Sequence, residues 1–266
     1  MNLSIFQADA FAEALFRGNP AAVIPLSEWL PDQILQQIAM ENNLSETAFF
    51  IPGDGCFQLR WFTPTTEVNL CGHATLATAH ILFNHLGFRE DTVHFQTHSG
   101  RLSVTRQQDL LYLDFPVSPL EPIPTPRGLT AALGLRPLAV MQGSRYLMAV
   151  YKNEKEIKQI NPDFLTLAKL PFNGIIVTAK GSISDFVIRF FAPAMGISED
   201  PVTGSAHTLL IPYWAQKLGK TRLLSHQISE RGGVLHCEKQ DDRVHIGGKA
   251  VTYMIGTLFL KDGSAD

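Results

Sequence analysis

One feature limits the fold of this chain more than any other: it repeats itself once. Residues 57–64 read Phe-Gln-Leu-Arg-Trp-Phe-Thr-Pro, and residues 186–193 read Phe-Val-Ile-Arg-Phe-Phe-Ala-Pro. The offset between them, 129 residues (57 to 186), is close to half of the 266-residue chain. Each copy alternates as a strand does and closes on proline, which cannot donate into a ladder. The register then continues, because Cys71 lies seven residues beyond Pro64 and Asp200 seven beyond Pro193. Each copy enters a glycine-containing turn, Cys71-Gly72-His73-Ala74-Thr75 or Asp200-Pro201-Val202-Thr203-Gly204-Ser205. A helical stretch follows each turn, over 74–86 and 204–218, with Gly87 and Gly219 where a C′ glycine would sit. Strand, proline, turn and helix in the same order predict two similar halves.

The two helical stretches carry apolar or small residues on every face, and both are too short to cross a bilayer. Such a helix is buried inside its domain. Pro212 removes one intrahelical bond and predicts a bend in the second helix. Most other segments read as short strands, among them 101–106, 111–115, 174–179, 243–247 and 253–260. The expected fold is therefore α+β and duplicated, each half a curved, mostly antiparallel sheet around a buried central helix. Residues 1–118 are expected to form the N-terminal half and 119–250 the C-terminal half, with 251–266 returning to the first as a final strand. Residues 31–41 predict an amphipathic outer helix with Pro31 in its first turn. The proline-rich stretch 116–126 predicts the linker.

Several function classes are excluded by bulk properties. A formal charge of −3 with no Lys/Arg cluster argues against nucleic acid. No stretch approaches the ~18 uninterrupted apolar residues of a membrane span. The N-terminal residues lack the basic start and apolar run of a signal peptide. Three scattered cysteines, Cys56, Cys71 and Cys237, fit reduced thiols in the cytoplasm better than a disulfide framework.

The chemistry is expected at the two helix starts. The first N–H groups of a buried helix need partners, and the positive end of the dipole favours an anion. Two such ends from pseudo-equivalent halves would suit a small carboxylate in a cleft between domains; the alternative is that Thr75 and Ser205 cap their own helices. Glu46 stands between a polar turn and the apolar run Thr47-Ala48-Phe49-Phe50-Ile51, where an ionised acid is costly. It is either a solvated turn residue or an acid kept dry to move protons. Cys71 at a helix start could act as a thiolate base, yet its repeat partner is Asp200, so a symmetric two-thiol racemisation is not supported. His73 lacks a second His or Cys at ligand spacing, which argues against zinc. Its alternative reading is a hydrogen-bonded core residue, as expected for His80 and His207. Thr203-Gly204-Ser205-Ala206-His207 does not form a nucleophile elbow, and no dinucleotide or P-loop fingerprint is present. Gly18-Asn19-Pro20 is first a turn, although Asn19 could offer its amide to a ligand.

Taken in order, Gly18-Asn19-Pro20-Ala21-Ala22-Val23, Leu44-Ser45-Glu46-Thr47-Ala48-Phe49, Trp61-Phe62-Thr63-Pro64, Cys71-Gly72-His73-Ala74-Thr75, Glu199-Asp200-Pro201-Val202-Thr203-Gly204-Ser205-Ala206-His207 and Gly247-Gly248-Lys249-Ala250-Val251 resemble the phenazine-biosynthesis PhzF-like family. The resemblance implies the diaminopimelate-epimerase-like fold with its site between two halves. It also implies a cofactor-independent isomerase in which Glu46 carries the proton as general acid and base. Around it, the resemblance places His73, Asp200 and Ser205 beside the substrate, and Asn19, Gly72, Thr203 and Gly204 are expected with them as substrate-binding or proton-relay residues. Neither a metal nor an organic cofactor is implied. The partners implied are a small anionic carboxylate substrate and a second copy in a homodimer. Two other functions stay open: a non-catalytic small-molecule binding protein on the same fold, and a cysteine-based racemase using Cys71.

Overall fold

The structure is a computed structural model that describes residues 1–260. The chain divides into two compact units, Met1–Asp114 together with the chain from Gly247 onward, and Phe115–Ile246. The part of the expected final strand that covers 261–266 lies outside the described residues.

In chain order the first unit contains β1 (Asn2–Ala10), β2 (Asn19–Pro25), α1 (Asp32–Asn42), β3 (Glu46–Pro52), β4 (Phe57–Phe62), β5 (Glu67–Val68), α2 (Gly72–Asn84), β6 (Thr92–Thr97), β7 (Gly100–Gln107) and β8 (Leu110–Pro116). The second contains β9 (Glu121–Pro122), α3 (Leu129–Leu133), β10 (Ala139–Gln142), β11 (Tyr146–Val150), α4 (Glu154–Gln159), α5 (Phe164–Leu167), β12 (Gly174–Lys180), β13 (Phe186–Phe191), α6 (His207–Leu218), β14 (Arg222–Gln227), β15 (Gly233–Gln240) and β16 (Arg243–Gly248). The chain then returns to the first unit as β17 (Ala250–Phe259), which pairs antiparallel with β1.

The same pairing order runs through both units. β1 pairs antiparallel with β2, β2 parallel with β3, β3 antiparallel with β4, β4 parallel with β6, and β6 antiparallel with β7. In the second unit β10 pairs antiparallel with β11, β11 parallel with β12, β12 antiparallel with β13, β13 parallel with β14, and β14 antiparallel with β15. The repeat reaches side-chain geometry. Arg60 donates from Nε and Nη2 to the two oxygens of Glu67, at 2.7 Å each, while its guanidinium lies 5.1 Å from the Phe62 ring centre. Arg189 donates likewise to Glu199 at 2.8 Å and lies 4.9 Å from the Phe191 ring centre. Each arginine thus ties its strand to the turn that leads into the central helix, by the bidentate fork that only guanidinium offers a carboxylate.

Burial explains why α2 has no polar face. Eleven of its thirteen residues are buried, including Leu76 and Ile81 at 0% exposure, and it packs on β1, β2, β3, β7 and β17. Each such aliphatic side chain contributes about 1.5–3 kcal/mol relative to exposure. The helix α6 buries Leu209, Leu210, Ile211 and Trp214 on β14 and β15, with Pro212 inside it. Trp214 stacks at 7° on Phe186 and donates its indole N–H to Thr178 Oγ1 at 3.0 Å. Among the described residues no helix is long and apolar enough to cross a membrane.

The helix limits differ from the expected ones. α2 covers Gly72–Asn84, starting and ending two residues before 74–86; its C-cap is His85, and Gly87 adopts φ +73° beyond it. α6 begins at His207 and not at 204, because Gly204-Ser205-Ala206 is still turning. Gly219 caps it in the left-handed region, φ +65°, as expected. The stretch 116–126 is more than a linker, since Glu121–Pro122 pairs with β10.

Candidate active site

Two strands and a helix start bring one acid–base group together in the first unit. β2 begins at Asn19 because Gly18, at φ +66°, turns the chain back on Ala10; a Cβ there would lie 2.2 Å from the Ala10 carbonyl oxygen. In the parallel pairing of β2 with β3, Ala21 stands opposite Glu46, so the ends of the two strands place Asn19, Ser45 and Glu46 side by side. The start of α2 supplies Cys71 at the N-cap, Gly72 as first residue and His73 as second.

His73 is the hub. Its Nε2 lies 3.0 Å from Glu46 Oε2, with the histidine and glutamate side chains only 7% and 13% exposed. Its Nδ1 lies 3.2 Å from Asn19 Nδ2 and 3.6 Å from Cys71 Sγ. Ser45 Oγ donates to Asn19 Oδ1 at 3.1 Å. The Glu46 carboxylate is held beside the ring and is not saturated by it. Oε2 is buried and accepts no well-aligned hydrogen bond. The acid of the Ser-Glu-Thr stretch is therefore an enclosed group and not a solvated turn residue.

Burial alone disfavours an imidazolium, but the neighbouring Cys71 and Glu46 side chains outweigh it and hold His73 well above the usual 6.5. The Cys71 thiol is pushed the other way, up to about 11, by its burial and by the Glu46 charge. That argues against the thiolate base the sequence left open: the helix start is there, but loss of water and a neighbouring anion win over the dipole. One donor atom each of Glu46, Cys71 and His73 lies within 4.8 Å of the others. Local spacing could not reveal this set, because Glu46 enters from another strand. Cys71 Sγ lies 3.6 Å from Nδ1 and 4.0 Å from Nε2, and Glu46 Oε2 lies 3.0 Å from Nε2.

The second unit holds the other predicted residues. Asp200 accepts from the Thr203 hydroxyl, and Gln227 on β14 clamps the turn by donating to the Asp200 carbonyl at 2.7 Å and accepting from the Thr203 N–H at 2.8 Å. Gly204 accepts from the His207 N–H at 3.0 Å. Ser205 Oγ lies 3.0 Å from the Tyr146 hydroxyl on β11. Neither α2 nor α6 has a side-chain N-cap; Thr75 bonds back to the Cys71 carbonyl at 2.6 Å, and Ser205 bonds to Tyr146. The expected alternative, in which these two residues cap their helices, does not hold.

Sequence reading missed Ser45, Tyr146 and Gln227 as members of these groups. Ser45 had a signal, its position next to Glu46; Tyr146 and Gln227 come from distant strands and had none. His207 and His80 serve the fold. His207 bridges the Thr203 carbonyl and Ser225 Oγ at 2.9 Å each, and burial lowers it to about 4. His80 bonds Thr252 Oγ1 at 2.8 Å and is lowered to about 4 by burial and His85.

The family model for phenazine biosynthesis-like proteins (PhzC-PhzF) matches residues 8–256. An uncharacterised isomerase of Pseudomonas aeruginosa is 54% identical over 260 residues, covering 98% of this chain and all of that protein. A crystal structure of a PhzF-family phenazine biosynthesis protein from Enterococcus faecalis superposes with a TM-score of 0.95 at 48% identity, covering 98% of this chain and all of that one. A hydroxyproline epimerase from Agrobacterium vitis shares the fold at 11% identity, with a TM-score of 0.63 over 98% of this chain and 94% of its own.

Proposed function

The chain belongs to the phenazine biosynthesis-like protein family, and relatives up to 54% identical to it are named isomerases; from that premise we propose that it moves a proton between two carbons of a small carboxylate-bearing substrate without a cofactor, with Glu46 as general acid and base. The observation that carries this reading is the buried Glu46 oxygen that accepts no aligned hydrogen bond while lying 3.0 Å from His73 Nε2. A base in waiting needs an unfilled acceptor, and a single carboxylate can serve both carbons when they lie on one face within its reach. The imidazolium favoured at His73 balances the Glu46 charge and lets the acid return its proton without a second catalytic base. Uncapped N–H groups at the starts of α2 and α6 are suited to a substrate carboxylate and to charge that develops as the proton leaves. In this reading Asn19, Gly72 and His73 on one unit, and Asp200, Thr203, Gly204 and Ser205 on the other, bind the substrate or relay its proton.

The cysteine-racemase alternative is weakened by a Cys71 thiol pushed up to about 11. The cysteines, none in a disulfide, support a reducing compartment such as the cytoplasm, and the exposed Tyr253, Ile255 and Phe259 on β17 support self-association. The experiment is solvent exchange. Incubated in D₂O with a panel of small carboxylates, the protein is expected to raise the mass of at least one, and Glu46→Gln to slow that by ~10²-fold or more. Ligands that bind and never exchange would leave a binding protein in its place.

A further inference from the structure

A histidine facing a carboxylate is useful only if the correct nitrogen carries the proton. The unprotonated nitrogen of a neutral ring is an acceptor, so turning it toward Glu46 would set two lone pairs against each other. Glu46, 3.0 Å from Nε2, favours a proton there, but its Oε2 makes no well-aligned hydrogen bond to the ring and so does not fix the choice alone. The opposite nitrogen completes it. There, Asn19 Nδ2 approaches Nδ1 at 3.2 Å, and Asn19 Oδ1 is already occupied by Ser45 Oγ at 3.1 Å. We propose that Ser45 and Asn19 are positioning residues: the serine hydroxyl fixes the carboxamide, the carboxamide makes Nδ1 an acceptor, and the neutral ring must then carry its proton on Nε2, facing Glu46.

The residue types suit this task. Asn19 is completely buried and Ser45 partly so, and neither adds a charge beside Glu46. When the ring is an imidazolium, Nδ1–H needs an acceptor. The Cys71 sulfur, 3.6 Å from Nδ1, is an acceptor on that side that leaves the Ser45–Asn19 bond in place. Nε2 thus faces Glu46 with a proton in either charge state of the ring. The Cys71 thiol, 3.6 Å from Nδ1, is too weak a donor to impose the same choice. Glu46 and Cys71 are the titratable groups that face the ring, so a change at Ser45 leaves the charges around it unchanged.

The inference rests on the reading of Glu46 as proton carrier, but its test reads His73 in the resting protein and needs no substrate. Nitrogen-15 spectra of the full-length chain, labelled at histidine, are followed through the His73 titration. Wild type is expected to show Nε2 protonated and Nδ1 bare at the alkaline end. Ser45→Ala should yield a mixture of the two tautomers, and Ser45→Thr, which retains the hydroxyl, should restore the single form. Asn19→Asp supplies a permanent anionic acceptor and should raise the ring's titration by roughly one to three pH units. A neutral wild-type ring protonated on Nδ1 overturns the proposal. So does an unchanged His73 in folded Ser45→Ala and Asn19→Asp, whether or not Glu46 then proves to be the proton carrier.

Discussion

The two units share a strand order and differ around Glu46 and His73. Thr47 pairs with Phe62 in the first unit, and Ile175 pairs with Phe191 in the second. Since Phe62 and Phe191 correspond in the repeat, Thr47 corresponds to Ile175 and Glu46 to Gly174. The parallel neighbours agree, Ala21 opposite Glu46 and Tyr146 opposite Gly174. At the slot where one unit carries its acid the other has no side chain, and a Cβ there would lie 2.2 Å from the Phe190 ring. The same divergence separates Cys71 from Asp200 and His73 from Val202. Duplication therefore supplied one scaffold twice, while the acid–base group was elaborated in a single copy. The second copy used its turn for Asp200, Thr203 and Ser205 and filled the vacated slot with an aromatic ring.

If the units have divided the labour this way, Glu46→Gln should lower kcat by ~10²-fold or more, whereas Asp200→Asn should act mainly through KM. Steady-state kinetics on an exchanging substrate separates the two, and equal kcat losses would break the comparison. Structural equivalence predicts the opposite pattern for the arginines. Arg60→Met and Arg189→Met each remove a bidentate, charge-assisted pair and should cost about 1.5–3 kcal/mol apiece, read from urea midpoints. A large inequality would mean that the repeated geometry is not repeated energetics.

Histidine provides a third contrast, in stability against pH. His207 is lowered to about 4 by burial, so the unfolded chain protonates first, near 6.5. Its contribution is present above that value and is lost as pH falls from about 6.5 toward 4. His73 is raised, so its contribution is complete below about 6.5 and fades as pH rises through the higher folded value. Melting temperatures across pH should show His207→Gln flattening the acid limb and His73→Gln lowering stability at mildly acidic pH relative to alkaline pH. The smallest effect is expected at Cys71. As a buried thiol it should tolerate Cys71→Ser with less than about a tenfold change in turnover, far below the ~10²-fold or greater loss expected at Glu46; a larger loss would revive the cysteine chemistry.

Much of this was legible beforehand. The paired strand–proline–turn–helix segments identified the duplication, since alternation and proline placement are local rules. The all-apolar composition of 74–83 identified the buried helix. Glu46 stood out because an acid beside Phe49 and Phe50 is costly unless it is used. Cys71 stayed open as a thiolate base for a definite reason: a helix start lowers a thiol's pKa while desolvation beside an anion raises it, and only the first can be read from neighbouring residues. The three-sided environment of His73 was invisible too, because Asn19, Glu46 and Cys71 are scattered over more than 50 residues of chain.

By itself the sequence determined the periodicities, the breaks and the oddly placed acid, all of which depend on neighbours a few residues apart. Tertiary structure alone decided the direction in which the Cys71 and His73 pKa values move, the contacts of Asn19, and the occupation of the Gly174 slot by Phe190. Each of these depends on desolvation and on hydrogen bonds between strands, and those exist only after the sheet has aligned.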